Sequence, residues 1–456
     1  MPAKRENMTY IMNTKQFLFL AALFLWGAMQ PVKATQADSA QVFTLEEALL
    51  MAADNNHEIL KSLAEVKAAK ADNQQANAAF LPAIELSNSF STTNDPLYAF
   101  GFKLQQQNVS MADFDPNVVN SPGTIDHFHT QVLVEQPLVN IDAWMGKGAA
   151  RHKLKATELK SDYTKEYVQF LVKQTYYAFQ LATNRVVVIQ KANSAIQAYL
   201  KVAEDNLQQG YLKEADVLAI KVRMYELQAQ AKKAESQVKS VGEMLNFLLG
   251  RETQLPIQTT SVLQQVNFSR FGVVSVANRS DVLAMQYGVD AYKRMERSSL
   301  LKFAPRINAF GTYNLYDSQF PGTDVDSWMV GVKLQWRIFN GGRNLGKYQK
   351  SKAEFQQAQV AYNEYLDKGN MELVQAQRQI TVAESQLFTY EMAAQQAGES
   401  LRIRTNRYEQ GLERTSDLLM AEAKSAESDL KHLNAIYNYN VAVFKYQLLA
   451  SESSLK

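Results

Sequence analysis

Ser327-Trp-Met-Val-Gly-Val-Lys-Leu-Gln-Trp-Arg-Ile338 is the stretch that decides the fold. Its even positions are Trp328, Val330, Val332, Leu334, Trp336 and Ile338; its odd positions are Ser327, Met329, Gly331, Lys333, Gln335 and Arg337. Near-strict alternation is the period of a strand with one apolar face, because successive side chains point to opposite sides of the pleat. The two tryptophans are separated by about 26 Å along an extended strand. That span matches the apolar band of a transmembrane barrel strand, edged by aromatic residues at both interfaces.

The same parity extends outward. A partner strand from Arg306 places Ile307, Ala309, Gly311, Tyr313 and Leu315 on one face, and Arg306, Asn308, Thr312 and Asn314 on the other. Earlier in the chain, Ile84, Leu86 and Phe90 oppose Glu85, Ser87 and Ser89; Phe128, Val132 and Val134 oppose His129, Gln131 and Glu135. The expected strands are about 83–93, 127–138, 306–316 and 327–338. A soluble sandwich would also alternate. Four strands cannot close a barrel, since small barrels need about eight, and a lipid-exposed open edge is not viable in a bilayer. A membrane reading therefore forces oligomerisation: two copies supply eight strands, three supply twelve.

The chain repeats itself. Asn56-His-Glu-Ile-Leu60 matches Arg279-Ser-Asp-Val-Leu283, and Leu81-Pro82 matches Ala304-Pro305, both at a shift of 223. Val134 to Asn140 matches Leu334 to Asn340 at 200, and Asn206 to Leu212 matches Arg407 to Glu413 at 201. Two halves thus share one plan. The falling shift means that the first half carries about 23 extra residues, which lie within 94–126 around Pro96, Pro116, Pro122 and Gly123. That composition marks a loop insertion.

Each half reads as helix, strand, loop, strand, long helix, turn, helix. All ten prolines avoid 138–255 and 322–456, which leaves both runs free for very long helices. Segment 141–209 would be about 104 Å long as a helix. Tyr163, Tyr167, Phe170, Tyr177 and Leu181 form a stripe along it. Gly210 and Gly411 break the two runs, and Thr415 or Ser416 is the expected N-cap after the second. Thr44-Leu-Glu-Glu47 is a capping box that opens a helix running to Leu81-Pro82. Helices this long pack as coiled coils.

Lys4, Arg5 and Lys15 precede a short apolar core, Phe17 to Gly27, and Val32-Lys33-Ala34 fits a small-x-small cleavage site, as in a secretory signal peptide. The expected organisation is a signal peptide over 1–34, with cleavage as late as 37. A first repeat follows over 38–250 with a helical hairpin at 141–249. A connector spans 251–277, and a second repeat spans 278–456 with a hairpin at 341–450. No other segment reaches 18 apolar residues, so any membrane span must be β.

Chemistry is sparse. The chain has no cysteine, which excludes a disulfide scaffold, a thiolate metal site and a cysteine nucleophile. A net charge of +2 gives no case for nucleic-acid binding. Gly341 to Lys347 fits a phosphate loop except that Tyr348 stands where Ser or Thr must ligate magnesium. His127 and His129 share one strand face beside Asp126, but two local ligands fall short of a zinc set, and a polar, lumen-facing rim is expected. His57, His152 and His432 are expected at solvated positions. No nucleophile elbow or H-E-x-x-H is present, so neither catalysis nor a cofactor or metal is expected.

Taken in order, twice, these motifs resemble the TolC family of outer-membrane efflux channels over roughly 40–450: Leu45-Glu-Glu-Ala48 with Asn55-Asn56, the strand entries at Pro82 and Pro305, Phe339-Asn-Gly-Gly342, and the turns Gln209-Gly210-Tyr211 and Gln410-Gly411-Leu412. The resemblance implies a mainly α chain with a transmembrane β part. It implies a homotrimer with a 12-stranded barrel in outer-membrane lipid and a 12-helix tunnel in the periplasm of a Gram-negative bacterium. It further implies a periplasmic adaptor, or membrane fusion protein, and an inner-membrane pump of the RND or ABC type. The chain would be the passive exit duct of tripartite efflux or type I secretion, and 94–126 an enlarged extracellular loop. The competing function is a periplasmic coiled-coil scaffold. By position, Gly210 and Gly411 mark the periplasmic tip, Asp216 and Tyr408 match a pair that holds it shut, and Asp417 matches an acidic ring. Trp328 and Trp336 would form the aromatic belt. Glu413 stands where a basic gate residue often sits, and Met420 where a second acidic ring often sits.

Overall fold

The computed structural model describes residues 41–260, 262–269 and 275–450; the expected signal peptide lies outside them. In chain order the elements are β1 (Gln41–Phe43), α1 (Leu45–Asn55), α2 (His57–Gln75), β2 (Ala83–Thr93), α3 (Pro96–Gln105), α4 (Pro116–Asn120), β3 (Ile125–Val139), α5 (Ile141–Gln208), α6 (Glu214–Leu248), β4 (Ile257–Thr259), α7 (Ser280–Leu301), β5 (Arg306–Asp317), β6 (Val325–Gln335), α8 (Arg343–Glu409) and α9 (Thr415–Leu449). The chain is mainly helical and built as two repeats around two long helical hairpins. At 68 and 67 residues, α5 and α8 each run about 100 Å. Shorter helices stack along them: α2 and α6 on α5, α7 and α9 on α8, with α7 and α9 also against α5.

Three apolar clusters hold this frame. Ala48, Ala52, Val168, Val172, Tyr176 and Leu245 join α1, α5 and α6. Leu373, Ile380, Leu387, Tyr439, Val443 and Tyr446 join α8 to α9, with Val276 of the connector. Ile196, Tyr199, Val217, Ile220, Tyr408 and Leu418 join both hairpins near their turns. The most buried stripe of α5 is therefore Val168, Val172, Tyr176 and Phe179. Of the expected stripe, Leu181 is buried, Tyr163, Phe170 and Tyr177 are half-buried, and Tyr167 is exposed. Because α5 is packed by helices on several sides, a single apolar stripe is too simple a template for it.

The opening helix is broken, not continuous. Asn56 takes an extended conformation, caps α2 through Glu58 and Ile59, and donates from Nδ2 to the Leu248 carbonyl at 2.8 Å. Its repeat counterpart Arg279 is likewise an extended, buried residue before a helix. Asn satisfies the free amides of a new helix better than it continues an old one. The expected capping box at Thr44 and Glu47 is formed. After Gly411 the N-cap is Arg414, which supplies no side-chain cap, and Thr415 is the first, buried helical residue.

The four long strands form one antiparallel sheet in the order β2-β3-β5-β6. The ladder of β6 ends at Gln335, opposite Arg306. The next residue, Trp336, would face Pro305, which has no N–H to donate. Trp336 leaves the strand instead and donates its indole N–H to the Phe303 carbonyl at 2.9 Å. The sheet also slips by one residue between Pro137 and Val139, again where a proline removes a ladder bond.

Candidate functional site

The register decides what the sheet can do. Along one rung Leu86 lies opposite Val132, Val132 opposite Tyr313, and Tyr313 opposite Trp328. Along the next apolar rung Ile84, Val134, Gly311 and Val330 align in the same way. Opposed residues in a ladder share a face, so the apolar positions of all four strands fall on one side. The opposite side carries Glu85, Ser87, His129, Gln131, Thr312, Asn314, Ser327 and Lys333. Ile84, Leu86 and Trp328 are each 71% exposed. β2 and β6 each present an unpaired outer edge. A single chain leaves both the apolar face and two strand edges bare, which sequence parity anticipates strand by strand.

The insertion is more than a loop. α3 is capped by Asp95, with Pro96 opening it; it folds over the polar face at the end of the sheet farthest from the long helices. Phe102 stacks on His127 at 4.0 Å, and the Gln106 amide reaches the Asp126 and Asp317 carbonyls at 2.8 and 3.2 Å. Lys103 pairs with Asp113. His127 is buried rather than set in an open rim. His129 faces Asn314 at 3.0 Å and stacks on Tyr316. Among the described residues no cluster of three or more His, Asp or Glu could hold a metal. His152 and His432 are half-buried, not fully solvated.

At the far end of the helices the two turns share one construction. Gly210 has φ +81° and Gly411 φ +72°. The Tyr211 amide donates to Asn206 and the Gly210 amide to Leu207; Leu412 and Gly411 repeat this with Arg407 and Tyr408. This pattern recovers two orphan carbonyls and requires a left-handed residue, which glycine supplies without steric cost. Asp216 and Asp417 stand in the first turns of α6 and α9, half-exposed, where a carboxylate complements the helix dipole.

Tyr408 is buried at this tip. Its hydroxyl completes no hydrogen bond in the single chain. Burial pushes the phenol above its usual range, and the nearby Asp216 carboxylate acts in the same sense. The two hairpins are tied here by Tyr199 to Thr405 at 2.8 Å and by Arg223 Nε to the buried Glu422 at 2.9 Å. Glu413 is clamped by Arg404 and by Arg407, the latter at 2.8 Å. The Arg407 hydrogen bond, with Arg404 beside it, holds the Glu413 carboxyl below the usual carboxylate range. Position 413 thus carries an internally neutralised acid instead of a free base, and Met420 is exposed. The clamp was legible in part: Arg404 and Arg407 are three apart near the end of α8, and Glu413 lies just across the glycine.

A second buried polar centre sits about a third of the way along α5 and α8 from the sheet, at Tyr163 and Tyr365. Arg279 grips Asp281 with two nitrogens, Tyr365 donates to the same carboxylate, and the guanidinium lies 5.9 Å from the Tyr163 ring. Burial, and then Asp281, push Tyr163 up to about 12. Nothing in the local sequence marks this cluster, because its members come from three helices.

The comparisons agree with this geometry. The profile of the family described as outer membrane efflux protein matches residues 48–251 and 274–445. No curated protein sequence matches significantly. A membrane protein from Pseudomonas aeruginosa is similar in structure with a TM-score of 0.78 at 18% identity, covering 92% of this chain and 98% of that one. The outer membrane protein VceC from Vibrio cholerae aligns with a TM-score of 0.76 at 18% identity, covering 89% and 96%. The CmeC outer membrane channel of Campylobacter jejuni aligns at 0.78 and 14%, covering 98% and 93%. At these identities the structures speak for the fold. The profile spans both repeats, the sheet and both hairpins, and on that ground the chain belongs to the outer membrane efflux protein family.

Proposed function

We propose that three copies of this chain close their sheets into a 12-stranded barrel across the outer membrane, continued by a 12-helix tunnel through the periplasm. The resulting homotrimer is the passive exit duct of a tripartite efflux or type I secretion system. One observation carries this reading: a four-stranded sheet with one apolar face, one polar face and two unpaired edges. Closure with other copies removes the edges and turns the apolar face to lipid. A periplasmic scaffold would have no use for that face. Three copies also bring together six tip turns, and the helices give a duct about 100 Å long beneath the barrel.

In this reading Trp328 and Trp336 lie at the two membrane interfaces. Gly210 and Gly411 shape the periplasmic tip. Asp216 and Tyr408 hold it closed between the hairpins, and Asp417 lines its entrance. A periplasmic adaptor engages the tip and an inner-membrane pump of the RND or ABC type supplies energy. The family is of a duct type, and no enzymatic role is proposed.

The test is conductance. The mature protein, extracted in detergent and reconstituted in planar bilayers, should form channels, and Asp216→Ala with Tyr408→Ala should raise their conductance. A protein that stays soluble and monomeric without detergent would remove the duct reading. Unchanged conductance in the double variant would remove the pair from the gate.

A further inference from the structure

We infer that the foot of the sheet holds a basic ring that takes anionic solutes, phosphate- or carboxylate-bearing, as they pass through the duct. This rests on the duct reading above. A cavity of about 290 Å³ lies where the α7–β5 and β6–α8 junctions meet, and Lys302, Arg306, Arg337, Arg343 and Lys347 line it. Arg306 is paired with Asp142. The other four cations have no carboxylate partner among the described residues.

Repetition sharpens the point. At a shift of 200, Glu135 and Asp142 of the first repeat become Gln335 and Gly342, while Pro137 and Ala143 become Arg337 and Arg343. The second junction has thus lost two acids and gained two cations relative to its own sister. From 327 to 353 the chain contains no acidic residue at all. A solvated helix face would mix signs; this stretch does not.

Register gives the cavity its side. Arg306 and Gln335 are opposed at the last rung, one residue from Ile307 and Leu334 of the apolar face, so they belong to the polar face with Lys333. The polar face turns inward when the sheet closes. Asn344 donates to the Lys302 carbonyl and is itself bonded by Asn340, which fixes the start of α8 against the end of α7. The first amides of α8 point the positive end of a long helix at the same space. The cavity is narrower than the Debye length of about 10 Å at 0.1 M salt, so its cations act together. Glu85 and Glu135 also lie on the polar face and offset part of this charge, leaving an excess of cations at the junction.

The test uses the full mature protein in planar bilayers of neutral lipid at 0.1 M KCl, with inorganic tripolyphosphate as the probe, added from the barrel side. The triple variant Arg337→Gln, Arg343→Gln, Lys347→Gln should raise the half-blocking concentration at least tenfold. Its chloride-over-potassium permeability ratio should fall at least threefold relative to the unmodified channel. Lys350→Gln with Lys352→Gln, which removes cations outside the cavity, should leave both unchanged. A triple variant that conducts and is blocked like the unmodified channel overturns the ring and spares the duct. Equal effects from the control pair reduce the ring to diffuse charge and also overturn it. An unmodified protein that passes no current overturns the duct and the ring together.

Discussion

Val332 stands midway in sequence between Trp328 and Trp336, about 13 Å from Trp328 along the strand. It lies opposite Ala309, between Val330 and Leu334 of the same face, and is 66% exposed in the single chain. If that face meets lipid, Val332→Arg places a charge near the bilayer midplane. Such substitutions in barrels cost about 2–4 kcal/mol per chain, roughly 6–12 kcal/mol for three copies if they add. Met329 is a near neighbour on the opposite face, across from Thr312. Met329→Arg adds the same side chain to a polar, water-filled side and should cost little. The assay is outer-membrane fractionation followed by electrophoresis without heating, which preserves assembled barrels. Met329→Arg should give an assembled species at near-normal amount, while Val332→Arg should lose most of it. Equal assembly of the two variants, or the reverse order, would refute the face assignment and with it the membrane reading of the sheet.

Further outcomes follow from other sites. Asp281→Ala strands a buried guanidinium and removes the Tyr365 acceptor, so it should cost about 3–5 kcal/mol; urea titration of the detergent-solubilised protein would show this as a lower midpoint, and a loss under 1 kcal/mol would show the cluster to be dispensable. Glu413→Gln weakens the clamp on Arg404 and Arg407 and should raise conductance at neutral pH. Because Glu413 is held below the usual carboxylate range, its contribution is complete above the unfolded value of about 4.3 and fades only as pH falls through the lower folded value. Conductance should therefore match between pH 7 and pH 5 and rise only in stronger acid, a response that Glu413→Gln abolishes. Phe102→Ala removes the ring stacked on His127 and should free α3 from the polar face, seen as faster proteolysis within 94–124 of the assembled protein; unchanged cleavage would mean that the Gln106 bonds alone hold it.

The fold was largely legible because its signals are periodic and repeated. Strand parity reads the apolar face from Ile84 to Leu334, and the proline gaps read the long hairpins. What escaped has physical causes. The break at Asn56 needed a partner carbonyl, Leu248, that lies 192 residues away. The end of β6 falls opposite Pro305, just before the neighbouring strand, and is not set by its own pattern. His127 keeps its expected face, but the aromatic ring that covers it comes from the insertion, whose proline-rich sequence reads only as loop. At the tip, Gly210 and Gly411 were visible as helix breakers, whereas Tyr199, Arg223 and Glu422 join through packing between hairpins that no local spacing encodes.

A duct requires closure between chains, and the absence of cysteine from the sequence makes that closure directly measurable. Within one chain β2 and β6 are separated by β3 and β5, about 14 Å apart at three strand spacings, beyond the Cα separation of about 7 Å that a disulfide spans. One cysteine at Ser87 on β2, combined in turn with one at Ser327, Met329 or Lys333 on β6, can therefore bridge only between chains. Oxidation in intact outer membranes should give, for at least one register, a covalent species of three chains and none larger. Chains that remain uncrosslinked in every register, or that ladder beyond three, would contradict a closed trimeric barrel.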